Sequence, residues 1–393
     1  MSDGVGSAVV AGVRDLLPVL RERAQETEDA RVVPAESVKA IEETGFFRLL
    51  QPAAYDGLEA EPVTFLSAVR LIASACGSTG WVASVLGVHA WQLALFPPPA
   101  QEEVWGADRA ARMSSSYAPT GKAQAVPGGH ELTGRWSFSS GCDHARWVLL
   151  GAIVTDDEGK PVDFRTFLLP ASDYQIDDVW DTVGLRGTGS NDIVVDGAFV
   201  PGHRSLSFTD VSRCKCPGHE VNNAPLYRIP YGSLFSYAIT MPIVGMATGA
   251  YDAHVAYQRD RVRASYVGQK AAEDPHGQVR VARAAADLDA AWLAASHNMA
   301  ELMACARAGE KIPLPLRLRV RRDQVLGTGQ AIGAVDLLFE NSGGRALRAG
   351  TPIQRFWRDA HAGRVHAIND PERALSAFGR GEFGLDVPPD AMV

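Results

Sequence analysis

Helical and strand-like patterns occupy separate stretches of this chain and do not interleave. From about residue 8 to 112 apolar residues recur at three- and four-residue spacing, as at Val13, Leu16, Leu17 and Leu20. That spacing puts them on one helical face. Pro34 followed by AESVKAIEETG reads as a helix start with Gly45 as its stop. PVTFLSAVRLIASAC predicts a third helix. GSTG then reads as a breaker, WVASVLGVHAWQLALF as a fourth helix, and the prolines at 97–99 as its end. Between about 113 and 215 short alternating or apolar runs take over: RMSSSYA, HELTGRWSFSS, RWVLLGAIV, FRTFLLP and DIVVDGAFV. Turn residues separate them, so roughly six to eight short strands are expected. From about 232 onward the helical period returns in four long segments with short connections, the pattern of an antiparallel bundle. A doubly wound parallel sheet needs alternation and is disfavoured. The predicted class is α+β: an N-terminal helical domain over 1–112, a β domain over 113–220 and a C-terminal bundle over 221–393.

Composition narrows the function classes. The 393 residues carry 38 Lys plus Arg against 46 Asp plus Glu, a net charge of −8. Nucleic-acid binding rests on a basic face that displaces counterions, so no nucleic-acid partner is expected. The N-terminus lacks the basic and apolar regions of a signal peptide, and no run approaches the roughly 20 apolar residues of a membrane span. The 5 cysteines are odd in number and sparse, which fits a reducing cytoplasm better than a disulfide framework.

Several familiar motifs fail. Gly184-Leu-Arg-Gly-Thr-Gly189 lacks the dinucleotide spacing and precedes a strand rather than a helix, so it reads as a turn. There is no G-x-x-x-x-G-K-S/T loop. Cys214-Lys-Cys216 has no second pair to make a zinc site, and His361 and His366, five apart on one helix, would face different sides. No metal is expected. There is no G-x-S-x-G elbow, and Cys142-Asp-His144 is too local for a triad.

Three features remain. They are Cys76-Gly-Ser-Thr-Gly-Trp81 with His89, Ser114-Ser-Ser-Tyr117 with Trp136-Ser-Phe-Ser-Ser-Gly141, and Arg358-Asp-Ala-His-Ala-Gly-Arg-Val-His366 running on to Asp370. Singly, each has an ordinary explanation: a core histidine, turn and edge serines, a polar helix face. Together, with AQEEVWG, VGLRGTGSND, RVRA and PIQRFWRDAHAGRVHAINDPERA, they resemble the acyl-CoA dehydrogenase superfamily over nearly the whole chain. More narrowly, the chain resembles the oxygenase components of two-component flavin-dependent aromatic hydroxylases.

The resemblance implies an acyl-CoA dehydrogenase-like fold with a central β-barrel and a four-helix bundle, assembled as a homotetramer. It implies FMNH2 or FADH2 from a separate NAD(P)H:flavin reductase, O2 as co-substrate, and a phenol hydroxylated at the ortho position through a C4a-hydroperoxyflavin. A secosteroid phenol is the first expectation, and another polycyclic or polyketide aromatic the alternative. An acyl-CoA dehydrogenase proper or a non-catalytic flavin-binding bundle stays open behind these. Neither Glu340 nor Glu382 sits in a recognisable dehydrogenase context.

Carried over residue by residue, Ser140 lies near flavin N5. His366 lies near C4a and, with an ordinary imidazole pKa near 6.5, helps protonate the peroxide. His89 meets the phenolic hydroxyl as base or strong hydrogen-bond partner. Ser115 and Ser116 share that role or touch flavin. Trp81, Tyr117, Phe138 and Ser139 neighbour the isoalloxazine or phosphate. Arg261 reaches a neighbouring subunit's flavin phosphate, and Gly344, Arg345 and Ala367 complete the flavin set. Gly344-Arg345 and Ser212–His219 depart from the family pattern, and a lid at the second segment is one way to change substrate choice.

Overall fold

The computed structural model describes residues 2–156, 158–263, 268–388 and 391–393. Six helices come first: α1 (Ser2–Glu22), α2 (Ala24–Ala30), α3 (Ala35–Glu43), α4 (Pro62–Ala75), α5 (Gly77–Leu93) and α6 (Pro98–Trp105). Seven strands follow: β1 (Met113–Val126), β2 (Gly129–Ser139), β3 (Trp147–Thr155), β4 (Pro161–Pro170), β5 (Gln175–Asp177), β6 (Asn191–Pro201) and β7 (Ser205–Ser207). After the short α7 (Phe208–Ser212) come α8 (Tyr231–Asp260), α9 (Pro275–Arg307), α10 (Leu314–Ser342), α11 (Pro352–Arg364) and α12 (Pro371–Glu382). Prolines open α4, α6, α9, α11 and α12, where the missing N–H would have had no helical partner.

The strands form one mixed sheet in the order β5-β6-β2-β1-β3-β4-β7. β1 and β3 run parallel and the other neighbours antiparallel. The sheet carries its own core of Leu132, Trp136, Val148, Leu150, Phe167, Leu169 and Ile193. A second, larger core joins the N-terminal helices to the bundle. α8 packs against α4, α5, α9, α10 and α11 and is buried on nearly every side. Among the described residues it is the helix long and apolar enough to cross a bilayer, yet 94% of its most apolar window is buried inside the protein. It is a core helix.

Several sequence expectations shift. GSTG does not break the chain: the break is the extended Cys76, and Gly77-Ser-Thr-Gly80 forms the first turn of α5. Gly80 is needed there, because a Cβ would lie 2.4 Å from the Ala73 backbone. α8 stops at Asp260, and the last part of its expected stretch, 264–266, lies outside the described residues. α11 stops at Arg364, so His366 is not on the helix with His361. α12, packed on α10, adds a fifth helix to the expected four.

Candidate active site

α5 is buried along its whole length and passes two neighbourhoods. Trp81 and His89 are eight residues apart on it, about 12 Å along the axis. Each end meets a different part of the fold.

At the Trp81 end, β2 breaks register between Trp136 and Ser139. Phe138 takes a left-handed φ of 70°, a conformation that strains any residue with a Cβ. Its ring is 68% exposed and stands edge-on to Trp180 at 6.0 Å. The chain then turns through Gly141, leaving Ser140 partly open. Trp81 Nε1–H donates to Ser140 Oγ at 3.1 Å. Ser140 Oγ lies 2.6 Å from Ser190 Oγ, which lies 2.6 Å from Thr188 Oγ1. Thr188 Oγ1 donates to the Leu185 carbonyl at 2.9 Å.

α11 fixes that loop. Asp359 Oδ1 accepts from Leu185 N–H at 2.6 Å, and the Arg358 guanidinium donates to the Val183 carbonyl at 2.6 Å. Burial pushes the Asp359 carboxyl up to about 6, against the pull of the Leu185 N–H and Arg358. Thr188 and Ser190 were not singled out from the sequence, and Asp359, inside the Arg358–Asp370 stretch that was, had no role assigned to it. Thr188 sits in the stretch read as a plain turn and Ser190 just after it, and the only signal was a pair of hydroxyls beside glycines.

His366 begins the turn after α11, its ring 6.0 Å from Trp81. Its Nδ1 accepts from Ile368 N–H at 3.2 Å. That bond fixes the tautomer: the proton sits on Nε2. The turn is held from α10, where Arg321 donates to the Ile368 carbonyl at 3.0 Å and Gln324 to Asn369 at 2.8 Å. Burial lowers the His366 pKa to about 4 rather than leaving it at the ordinary value. At neutral pH the ring is therefore an uncharged Nε2–H donor, a correction to the expected titration near neutrality. Ala367 follows it, exposed.

At the other end, His89 is fully buried, and neither ring nitrogen has a hydrogen-bond partner. The Val85 and Met113 carbonyls lie near it without hydrogen-bonding geometry, and desolvation lowers its pKa to about 3. The ring faces Tyr117 at 6.2 Å and Phe235 at 6.4 Å. Tyr231 stacks on Phe235 at 5.0 Å, extending the aromatic wall. The Tyr117 hydroxyl, bonded to Gln92, is pushed above its ordinary pKa by burial.

The remaining expected residues divide. Ser139 Oγ donates to Ser114 Oγ at 3.1 Å inside the sheet, and Ser116 Oγ to the Ser137 carbonyl at 2.7 Å. Ser115 is half-buried beside Tyr117. Arg261 lies elsewhere, at the end of α8, donating to the Ser342 carbonyl at 2.8 Å and the Asn341 carbonyl at 3.2 Å. Gly344 and Arg345 are exposed in the turn after α10, so these three form a separate group. Ser212–His219 is tied down at its end: Gly218 N–H donates to the Leu95 carbonyl at 3.0 Å, and His219 Nε2 meets the Tyr227 carbonyl at 2.9 Å. Cys142 is buried with its thiol pushed up to about 12, so no thiolate nucleophile forms there. Glu340 pairs with Arg280 at 3.3 Å, away from the aromatic wall.

Comparison with known proteins fits this layout. Residues 8–111 match the acyl-CoA dehydrogenase N-terminal domain and residues 237–371 its C-terminal domain. The chain is 60% identical to the flavin-dependent monooxygenase oxygenase subunit HsaA of Rhodococcus jostii, over 96% of this chain and 98% of that protein. It belongs to the flavin-dependent monooxygenase oxygenase subunits of the acyl-CoA dehydrogenase fold.

The solved structure of 3-HSA hydroxylase from Rhodococcus sp. RHA1 superposes with a TM-score of 0.95 at 59% identity, covering 98% of this chain and 99% of that one. The FADH2-dependent resorcinol hydroxylase oxygenase component of a Rhizobium species is 37% identical, over 96% of this chain and 93% of that protein. The protein is thus the oxygenase component of a two-component aromatic hydroxylase, using reduced flavin from a separate reductase. The fold and family expected from sequence are borne out.

The residues at the Trp81 end fit an isoalloxazine. Phe138 and the 80% exposed Val365 offer apolar surface, and Ser140 Oγ and His366 Nε2–H offer an acceptor and a donor beside it.

Proposed function

We propose that the protein converts a phenol to a catechol by ortho-hydroxylation, with a secosteroid phenol as the first substrate to test. The observation that carries this reading is His89. It is a neutral imidazole walled by Tyr117 and Phe235, with both nitrogens unpartnered, on the same helix as Trp81. Buried polar groups are rarely left unpaired without a function. A phenolic O–H supplies the missing donor and the aromatic walls take its ring. A pKa near 3 makes full proton transfer to His89 costly, which supports a hydrogen-bonding role that orients and polarises the phenol. The similarity to HsaA and to 3-HSA hydroxylase supports the secosteroid assignment.

Reduced flavin, when bound, supplies the two electrons that let one atom of O2 enter the ring while the other leaves as water. Trp81, Phe138 and Ala367 would pack on it and keep water out. Ser140 would accept a hydrogen bond at its N5 edge, and His366 would donate from Nε2 on the reacting side. Ser115, beside Tyr117, and Ser116, bonded to the Ser137 carbonyl, would touch the flavin or share the phenol contact, with Tyr117 forming the substrate wall. Ser139 supports the Ser140 turn from inside the sheet. Arg261, Gly344 and Arg345, apart from this group within one chain, would serve the flavin phosphate of a neighbouring subunit in a homotetramer. A reducing cytoplasm suits the five unpaired cysteines.

The test is turnover with a flavin reductase across a panel of a secosteroid phenol, resorcinol and polycyclic or polyketide phenols. Catechol formation with one phenol preferred at low KM supports the reading and selects the substrate. Reduced flavin consumed with stoichiometric hydrogen peroxide and no catechol from any phenol would overturn it.

A further inference from the structure

The hydroxyls behind Ser140 form a chain that ends on a carbonyl, and that end favours one direction for its protons. Three oxygen–oxygen contacts run in series: Ser140 to Ser190, Ser190 to Thr188, and Thr188 to the Leu185 carbonyl. Each needs one proton between its oxygens, and the three hydroxyls have one proton each. A carbonyl only accepts, so the Thr188 hydroxyl donates to Leu185, whose carbonyl also accepts from Trp180 Nε1–H at 2.8 Å and Thr188 N–H at 3.1 Å. Thr188 must then accept from Ser190, and Ser190 from Ser140. Trp81 Nε1–H, an obligate donor, takes one lone pair of Ser140 Oγ from the other side. Ser140 is left with a lone pair, and no proton, for whatever occupies the site. Ser190 and Thr188 are buried, at 3% and 1% exposure, so water has little access to reverse the order. Asp359 holds Leu185 N–H and Trp180 Nε1–H holds the Leu185 carbonyl at 2.8 Å, so the residue at the end of the chain is anchored on both sides.

The geometry points to Thr188 and Ser190 as positioning residues that hold Ser140 as a hydrogen-bond acceptor only, so that the site selects reduced over oxidised flavin. Reduced flavin carries a proton on N5 and donates; oxidised flavin has only a lone pair there and meets that of Ser140. This inference rests on the proposed placement of Ser140 beside N5. Without the chain, the Ser140 proton is free to rotate and the discrimination is lost.

The test is anaerobic equilibrium titration of the full-length protein with FMN and FMNH2, and with FAD and FADH2, giving the ratio of the two dissociation constants. Wild type is expected to favour the reduced form. Ser190→Ala and Thr188→Val are expected to bind oxidised flavin more tightly and to lower the ratio about tenfold, the worth of one neutral hydrogen bond. Thr188→Ser and Ser190→Thr keep the protons and are expected to keep the ratio, which a loosened loop alone would not predict. Ser140→Ala is expected to weaken reduced flavin without strengthening oxidised flavin. Unchanged ratios in Ser190→Ala and Thr188→Val, with flavin still bound, would overturn the inference and leave the flavin site standing. Weakening of neither form by Ser140→Ala would instead remove Ser140 from N5.

Discussion

His89→Phe should make the protein more stable and less acid-sensitive while abolishing hydroxylation. The imidazole is fully buried with two unpartnered nitrogens. An unsatisfied buried polar atom costs about 1–3 kcal/mol, and a phenyl ring of similar shape has none. At pH 7.5 the variant should therefore gain about 1–3 kcal/mol, less any cost of the extra ring atom. The pH response gives a second number. The His89 pKa falls from 6.5 to about 3 on folding, so the unfolded chain takes up the proton first. Stability must then fall as pH drops below about 6.5. Between pH 7.5 and 5, a pKa of 6.5 unfolded and 3 folded removes about 2 kcal/mol from the wild type and nothing from the variant. Other buried histidines and Asp359 titrate in both proteins and cancel in the comparison. The assay is urea unfolding of both proteins at the two pH values, with catechol formation measured alongside. A variant destabilised at pH 7.5 that loses as much stability at pH 5 as wild type would refute the reasoning. It would mean that the ring nitrogens are satisfied in solution and do not await a ligand.

Asp359 should respond with the opposite sign. Its folded pKa is raised to about 6, so stability falls as pH rises from about 4 through 6. Asp359→Asn keeps an acceptor for Leu185 N–H, should flatten that fall, and should gain at most about 3 kcal/mol at pH 7, read by denaturant unfolding. Phe138→Gly relieves a positive φ at a residue that buries little of its ring. It should raise stability by about 1 kcal/mol and weaken flavin binding, read by thermal melts and anaerobic titration. Gly80→Ala drives a methyl into the Ala73 backbone at 2.4 Å and should cost about 3 kcal/mol in urea unfolding.

The segregation of helices from strands was legible because hydrophobic period is a local property, and it fixed the order of elements that the structure shows. What was not legible depended on contacts between distant segments. Local turn propensity marked GSTG as a breaker, yet the backbone breaks one residue earlier at Cys76, because the packing of Gly80 on Ala73 requires glycine inside the helix. β5 and β7, three residues each, are too short to carry a period. α12 hides behind two glycines, although Asp370 and Pro371 mark its start. The position of His366 was misjudged by letting α11 run on to Ile368, four residues too far, which hid the cap that fixes its tautomer. Trp81, Ser140 and His366 were found, but only because a long resemblance carried them; their spacing in sequence says nothing of a shared site. Ser190, 50 residues from Ser140, and Asp359, 174 from Leu185, are joined to the site by tertiary structure alone.

The two ends of α5 solve opposite problems. Around Ser140 the hydroxyl chain ends on the Leu185 carbonyl, which favours one order of protons, and its loop is tied to α11 through Asp359 and Arg358. Such a network resists rearrangement, because moving any one proton strands another in a buried site. Around His89 less is committed: the ring lies against an aromatic wall, and its two nitrogens, near the Val85 and Met113 carbonyls, make no hydrogen bond. A satisfied network suits a group that must be told apart by a single proton. An unsatisfied one suits a substrate whose hydroxyl completes it, since binding then removes a cost that folding left behind. That division predicts separable defects. Changes behind Ser140 should alter which flavin is bound while leaving the phenol's KM in place, and changes at His89 should do the reverse.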